Sequence, residues 1–275
     1  MAYAHQGGSY EGPSSTLYAI RRALEHGASA VELDVHATKD RHVVVCHDET
    51  VERTTNDRGA IAELTLDELR QMDNAYWWIE GETVTPGRPD GEYVLRGRAP
   101  ADRDLGVVTL EEVCTAFPGV FFNLDIKQTG PEVEPYEQLL ADELRRLERT
   151  TSVMVASFHD DAIQAFRRCD PEVATSAATN EMTAFYFSMF DDGPLSVPPV
   201  AAFQVPAKVQ DVEVVTERFL EAAHGVDVAV HVWTVNDVEE MARLVDLGVD
   251  GVISDRPEVL VELLKERGCL WDARR

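Results

Sequence analysis

Two histidines and several carboxylates stand where short apolar runs of this sequence come to an end. His5 closes the run 2–6 and is followed by Gly7 and Gly8. Glu32 and Asp34 lie in the run 30–37, Asp125 and Lys127 in the run 120–127, and His47 ends the run 43–47 with Asp48 behind it. Strand side chains alternate faces with a period of two, so Glu32 and Asp34 share a face, as do Asp125 and Lys127, while Leu33 and Ile126 point away. Three carboxylates cannot share a protein interior in ionised form without a cation. Oxygen ligands in this number suit Mg²⁺ or Ca²⁺ better than zinc. The alternative is that the acids sit above the strands in solvent. Two histidines beside such a cluster supply a general base and a general acid near neutral pH. Gly7 and Gly8 let a ligand come close to the backbone, and Asp48 is placed to orient the His47 ring. A lone histidine is more often structural or exposed, which is the reading for His26, His36, His42, His159, His224 and His231.

The elements that must position these residues alternate between β-rich runs and amphipathic helical stretches, the pattern of an α/β fold with a parallel sheet. Candidate strands are 2–6, 30–37, 43–47, 120–127, 153–158, 173–177, 200–205, 228–235 and 250–254. Only five residues separate the second run from the third, and a parallel crossover needs a dozen or more. The run 43–47 must therefore fold back antiparallel on 30–37, and the other eight close a (β/α)8 TIM barrel, whose chemistry sits at the C-terminal ends of its strands. Thr65 with Glu68 and Thr109 with Glu112 have capping-box spacing. One helix places Leu17, Ile20 and Leu24 on a common face and stops at Gly27. Another, from about Asp237, is expected to bury Val238, Met241 and Val245 and stop at Gly248. Residues 75–105 carry Trp77, Trp78 and Tyr93 without a helical period and read as an insertion, a loop or lid above the barrel mouth.

The 275 residues suit one such barrel, 1–275, as a single domain. A net charge of −25 argues against nucleic acid or an anionic membrane as partner. An enzyme of this charge that binds phosphate needs local positive charge, which a divalent cation supplies. No run of about 18 apolar residues spans a membrane, and no signal peptide is legible. The four cysteines have no metal spacing, and a reducing, cytoplasmic setting fits them best.

The ordered set Ala4-His5-Gln6-Gly7, Thr16-Leu17, Val31-Glu32-Leu33-Asp34-Val35, Val45-Cys46-His47-Asp48 and Arg53-Thr54-Thr55-Asn56 closely resembles the glycerophosphodiester phosphodiesterase family. So do Thr109-Leu110-Glu111-Glu112-Val113, Asn123-Leu124-Asp125-Ile126-Lys127, Val232-Trp233-Thr234-Val235-Asn236 and the segment from Gly248 to Asp255. The resemblance implies that Glu32, Asp34 and Asp125 hold one divalent cation, Mg²⁺ or Ca²⁺, with Asp125 standing where the family usually has Glu. It makes His5 and His47 the acid–base pair, gives the phosphate to Lys127, and puts Trp233 in the pocket wall. Gln6 and Ser14 stand where the family usually has Arg and Glu, so Gln6 takes the place of a phosphate contact. The implied reaction is metal-dependent hydrolysis of a small glycerophosphodiester to sn-glycerol 3-phosphate and an alcohol. Its rivals are a lysophospholipase D-like or sphingomyelinase D-like enzyme acting on lipids such as a lysophospholipid, and a non-catalytic phosphoester- or metal-binding protein.

Overall fold

The computed structural model describes residues 1–127 and 136–271. Strand β1 (Ala2–His5) leads into α1 (Leu17–His26), β2 (Ala30–Ala37) and the short β3 (Val43–Val45). Then come α2 (Leu66–Leu69), α3 (Leu110–Ala116), β4 (Phe121–Ile126), α4 (Tyr136–Arg146), β5 (Val153–Ala156), α5 (Asp160–Cys169) and β6 (Ala174–Thr175). The chain continues through α6 (Thr179–Ser188), β7 (Ala202–Pro206), a small hairpin of β8 (Lys208–Val209) and β9 (Val212–Glu213), and α7 (Glu217–His224). It ends with β10 (Ala229–Trp233), α8 (Val238–Leu247), β11 (Gly251–Ser254) and α9 (Pro257–Glu266).

Eight strands pair in the order β6-β5-β4-β2-β1-β11-β10-β7, every neighbour parallel. The two ends of that order meet. Ser176 bridges to Ala202, Ala201 donates its N–H to Thr175 O at 2.8 Å, and Ala177 donates to Ala202 O at 3.0 Å. The sheet thus closes into the expected (β/α)8 barrel. β3 lies antiparallel against the end of β2, with Val45 opposite Val35, as the five-residue connection requires. The hairpin β8–β9 was not legible in the sequence, because strands of two residues carry no period to read.

The core lies outside the barrel wall, where Val31, Leu33 and Val35 of β2 and Phe122, Leu124 and Ile126 of β4 are fully buried against the helices. Burial of each such side chain contributes roughly 1.5–3 kcal/mol. Helix ends follow the expected punctuation. Thr16, Thr65, Thr109 and Asp237 cap N-termini with their side chains, and both predicted capping boxes form. Gly27 (φ 107°) and Gly248 (φ 98°) close α1 and α8 in the left-handed conformation that favours glycine. Of the three residues expected to be buried on α8, Met241 is, Val245 is half-buried and Val238 is not. Val238 is 43% exposed, because the first residue of the helix is carried outward beside its cap, and Leu244 joins Met241 in the core instead.

Residues 75–105 form a packed annex with two 3₁₀ turns, Asp90–Glu92 and Arg103–Leu105. Its aromatic residues enclose the guanidinium of Arg96, with ring centres of Tyr93, Tyr76 and Trp77 at 3.6, 4.1 and 4.9 Å. Ala75, Trp78, Leu95, Ala99 and Leu105 form a small apolar cluster against Tyr18 of α1.

Candidate active site

Strand register assembles the site. On the wall, His5 pairs with Glu32, Ala4 with Ser254, Glu32 with Asn123, and Asp34 with Asp125. Three neighbouring strands, β1, β2 and β4, therefore project His5, Glu32, Asp34 and Asp125 to one side at their C-terminal ends. Closing β1 against β11 brings Asp255 beside His5. A cavity of about 420 Å³ opens there, lined on its polar side by His5, Glu32, Asp34, Asp125, His47 and Lys127. Phe158, Met182, Pro206 and Trp233 form much of the opposite wall. The edge of Phe158 meets Trp233 with ring centres 5.3 Å apart.

The carboxylates of Glu32, Asp34 and Asp125 are buried, and each offers an oxygen within 4.8 Å of the others. Burial, then the charge of Asp34, pushes the Glu32 carboxyl up to about 8. Burial also raises Asp125, against the pull of Lys127. The Lys127 ammonium lies 2.8 Å from Asp125 Oδ2 and 3.1 Å from Asp34 Oδ1. Burial alone would lower Lys127, but Asp34 and Asp125 outweigh it and hold the amine charged. With all three ionised, the one ammonium would leave negative charge uncompensated at this corner. Asp34 Oδ2 and Asp125 Oδ1 are buried without a hydrogen-bond partner. Oxygen donors at this spacing, two of them with buried free lone pairs, fit a hard divalent cation.

Each histidine is held by a carboxylate at Nδ1. His5 Nδ1 lies 2.6 Å from Asp255 Oδ1, and His47 Nδ1 lies 2.6 Å from Asp48 Oδ1. In both cases Nε2 is the nitrogen left toward the reaction space, and the ring centres are 6.4 Å apart. Burial would lower His5, yet its hydrogen bond to Asp255 and the charges of Glu32, Asp255 and Asp34 raise it to about 9. Asp255 is kept below the usual carboxylate range: burial would raise it, but His5, Ser9 and Asn236 prevail. Ser9 Oγ donates to its Oδ1 at 2.7 Å and Asn236 Nδ2 to its Oδ2 at 2.7 Å. Asp48 is likewise held at about 2, against burial, by His47 and by Arg53, whose Nε donates at 2.6 Å.

The structure thus brings seven of the eight sequence-derived residues to the cavity: His5, His47, Glu32, Asp34, Asp125, Lys127 and Trp233. Gln6 is placed differently. It does not line the cavity: its side chain is buried, with Nε2 3.4 Å from His5 Nε2, and its backbone N–H donates to Glu32 Oε2 at 3.3 Å. Its backbone is left-handed (φ 51°). The loop carrying Ser14 is tied to the same residue, since Ser15 N–H donates to Gln6 O at 2.8 Å. The expected lid is not formed either: no residue of 75–105 lines the cavity, because the annex packs its aromatics on Arg96 and α1.

Sequence reading missed Asp255, which stands in the recognised segment ending at Asp255 but meets His5 only when the barrel closes. It also missed the floor. There Asn123 and Gln204 exchange hydrogen bonds at 3.0 and 3.3 Å, and Gln204 Nε2 lies 3.4 Å from His231 Nδ1. Burial lowers His231 to about 4, so it sits there as a neutral ring.

Comparison with known proteins gives one consistent answer. The model of the glycerophosphoryl diester phosphodiesterase family matches residues 5–259. A glycerophosphodiester phosphodiesterase of Caldanaerobacter subterraneus subsp. tengcongensis is 28% identical over 270 residues, covering 98% of this chain and 99% of that protein. Among solved structures, the glycerophosphoryl diester phosphodiesterase domain of a Mycobacterium tuberculosis protein superposes with a TM-score of 0.77 at 20% identity, covering 94% and 97% of the two chains. A phosphodiesterase of Oleispira antarctica, solved in complex with the product sn-glycerol-3-phosphate, superposes with a TM-score of 0.72 at 21% identity over 96% of each chain. At these identities the structural likeness speaks for the fold.

Proposed function

Because the chain belongs to the glycerophosphoryl diester phosphodiesterase family, we propose that it hydrolyses a glycerophosphodiester to sn-glycerol 3-phosphate and an alcohol, with His5 and His47 as its acid–base pair. It is a phosphoric diester hydrolase of that family. One observation carries the assignment of roles: two imidazoles, each oriented at Nδ1 by an aspartate, face each other across 6.4 Å beside a buried three-carboxylate corner. Glu32, Asp34 and Asp125 would hold one divalent cation, Mg²⁺ or Ca²⁺, which supplies positive charge against the phosphoryl oxygens.

The chain's own groups do the rest. Lys127, kept charged by its aspartate neighbours, binds a phosphate oxygen and steadies the charge that builds there. The Nε2 of one histidine takes the proton of the attacking hydroxyl, which is water or the neighbouring glycerol hydroxyl; in the second case a cyclic phosphate forms first and water then opens it to glycerol 3-phosphate. The Nε2 of the other returns a proton to the departing alkoxide. Asp255 and Asp48 hold the rings in the orientation this exchange needs. The wall of Phe158, Met182, Pro206 and Trp233 receives the alcohol portion.

The test is ³¹P NMR of the purified protein with glycerophosphocholine and, separately, lysophosphatidylcholine, in Mg²⁺, in Ca²⁺ and in chelator. Glycerol 3-phosphate is expected from the first substrate with a cation, and chelation should abolish it. Activity that survives chelation would refute the role given to the carboxylates. Turnover of the lipid alone would replace the substrate assignment.

A further inference from the structure

The annex 75–105 stays out of the cavity but is joined to its chemistry by a short series of hydrogen bonds. Trp78 is 3% exposed, and its Nε1–H donates to Ser9 O at 2.9 Å. Ser9 Oγ donates to Asp255 Oδ1 at 2.7 Å, the same oxygen that meets His5 Nδ1. A second tie runs in parallel through the backbone: Gly81 N–H donates to Tyr10 O at 2.9 Å, and Tyr10 N–H to Asp255 O at 3.2 Å. Ser9 and Tyr10 are thus fastened on one side to the annex and on the other to Asp255.

They need such fastening. Between His5 and Ser9 the backbone runs through three consecutive left-handed residues, Gln6 (φ 51°), Gly7 (φ 83°) and Gly8 (φ 96°), outside any strand or helix. Two of the three are glycines, which restrict the chain least. That turn is held in itself by Gly8 N–H to His5 O at 2.8 Å and Glu11 N–H to Gly8 O at 2.9 Å, and the bonds to the annex and to Asp255 fix Ser9 upon it. Ser9 Oγ in turn decides how Asp255 Oδ1 is presented to His5, because that oxygen serves both groups.

We propose that the annex is an alignment element for His5, with Trp78 and Ser9 as positioning residues that act through Asp255. The proposal rests on the reading of His5 as a member of the acid–base pair. Trp78→Phe keeps one six-membered aromatic ring but removes the N–H with the five-membered half of the indole, leaving the buried Ser9 carbonyl without its donor, which that segment relieves by shifting. A misplacement of about 1 Å at a reacting group can cost as much as 10²-fold in rate. Trp78→Phe and Ser9→Ala shift Asp255 by less than that, so each is expected to lower kcat about 10-fold. KM for glycerophosphocholine should stay within about twofold, because neither residue lines the cavity.

The decisive comparison repeats both substitutions in a His5→Ala background, with thermal melting to confirm that every variant is folded. If the annex acts through His5, Ser9→Ala and Trp78→Phe have no further effect once His5 is gone. Equal losses with and without His5 would overturn the proposal and make the two residues merely structural. Wild-type kcat in both single variants, with His5→Ala lowered at least ~10²-fold, would overturn it while leaving the acid–base assignment intact. Full activity in His5→Ala itself would remove that assignment, and the proposal with it.

Discussion

The two histidine supports are chemically alike and physically different. His47 and its partner Asp48 are sequence neighbours on the outer side of the site, with side chains 37% and 28% exposed, and Arg53 five residues on completes the pair. His5 and Asp255 are 250 residues apart, with side chains 19% and 12% exposed, and Asp255 is saturated by Ser9, Asn236 and His5. One support is written in adjacent residues and bathed by solvent. The other exists only where the first and last strands of the barrel meet. A carboxylate beside water can be replaced in part by water, while a buried one leaves an unmet donor when removed. The His5 support should therefore be the less forgiving.

The largest effects come from the rings themselves. His5→Ala and His47→Ala should each lower kcat by roughly 10²–10⁴-fold, measured by release of glycerol 3-phosphate. A near-wild-type rate in either would end the comparison by removing one arm from the chemistry. Next are the orienting carboxylates. Asp255→Asn is expected to cost about 10²-fold and Asp48→Asn about 10-fold, the span usual for partners that orient a functional histidine. The reverse order would show that exposure and not burial limits the site.

The smallest effect is on stability, and it separates the arms by pH. A histidine raised to about 9 contributes stability below its ordinary 6.5, and that contribution is lost as pH climbs through 9. Glu32, raised to about 8, behaves alike from its ordinary 4.5 upward, because the fold prefers its neutral form. Asp48, held at about 2, has the opposite sign: its contribution is present above about 3.8 and lost as pH falls toward 2. In chelator, the melting temperature should fall between pH 5 and pH 9. Asp255→Asn should flatten the upper part of that fall, and Glu32→Gln the lower part. Asp48→Asn should lower the melting temperature by a constant amount above pH 4 and flatten the acid limb below it. A wild-type profile that rises from pH 5 to pH 9 would contradict both raised values.

Much of this site was legible because its signals are local. Glu32 and Asp34 two residues apart, Asp125 and Lys127 two residues apart, and His47 next to Asp48 each declare a shared face or a neighbour through strand periodicity alone. The short link before Val43 was enough to turn β3 back on β2. Gln6 was misplaced because its left-handed backbone does not follow strand alternation. The packing of residues 75–105 was not legible because aromatics in an aperiodic stretch do not show that Trp77 and Tyr93 stack on Arg96 or that Trp78 packs toward Tyr18.

What the sequence by itself determined is the eight barrel strands with the folded-back β3, several helix ends and their caps, and the pairs of charged residues that share a strand face, since each follows from spacing within a few residues. The tertiary structure decided which strands lie side by side, and with that the meeting of Asp34 with Asp125, of His5 with Asp255, and of Trp78 with Ser9. The reason is closure. Residues at the two ends of the chain become neighbours only when eight strands complete a ring, and no pattern within either segment records the partner it will meet.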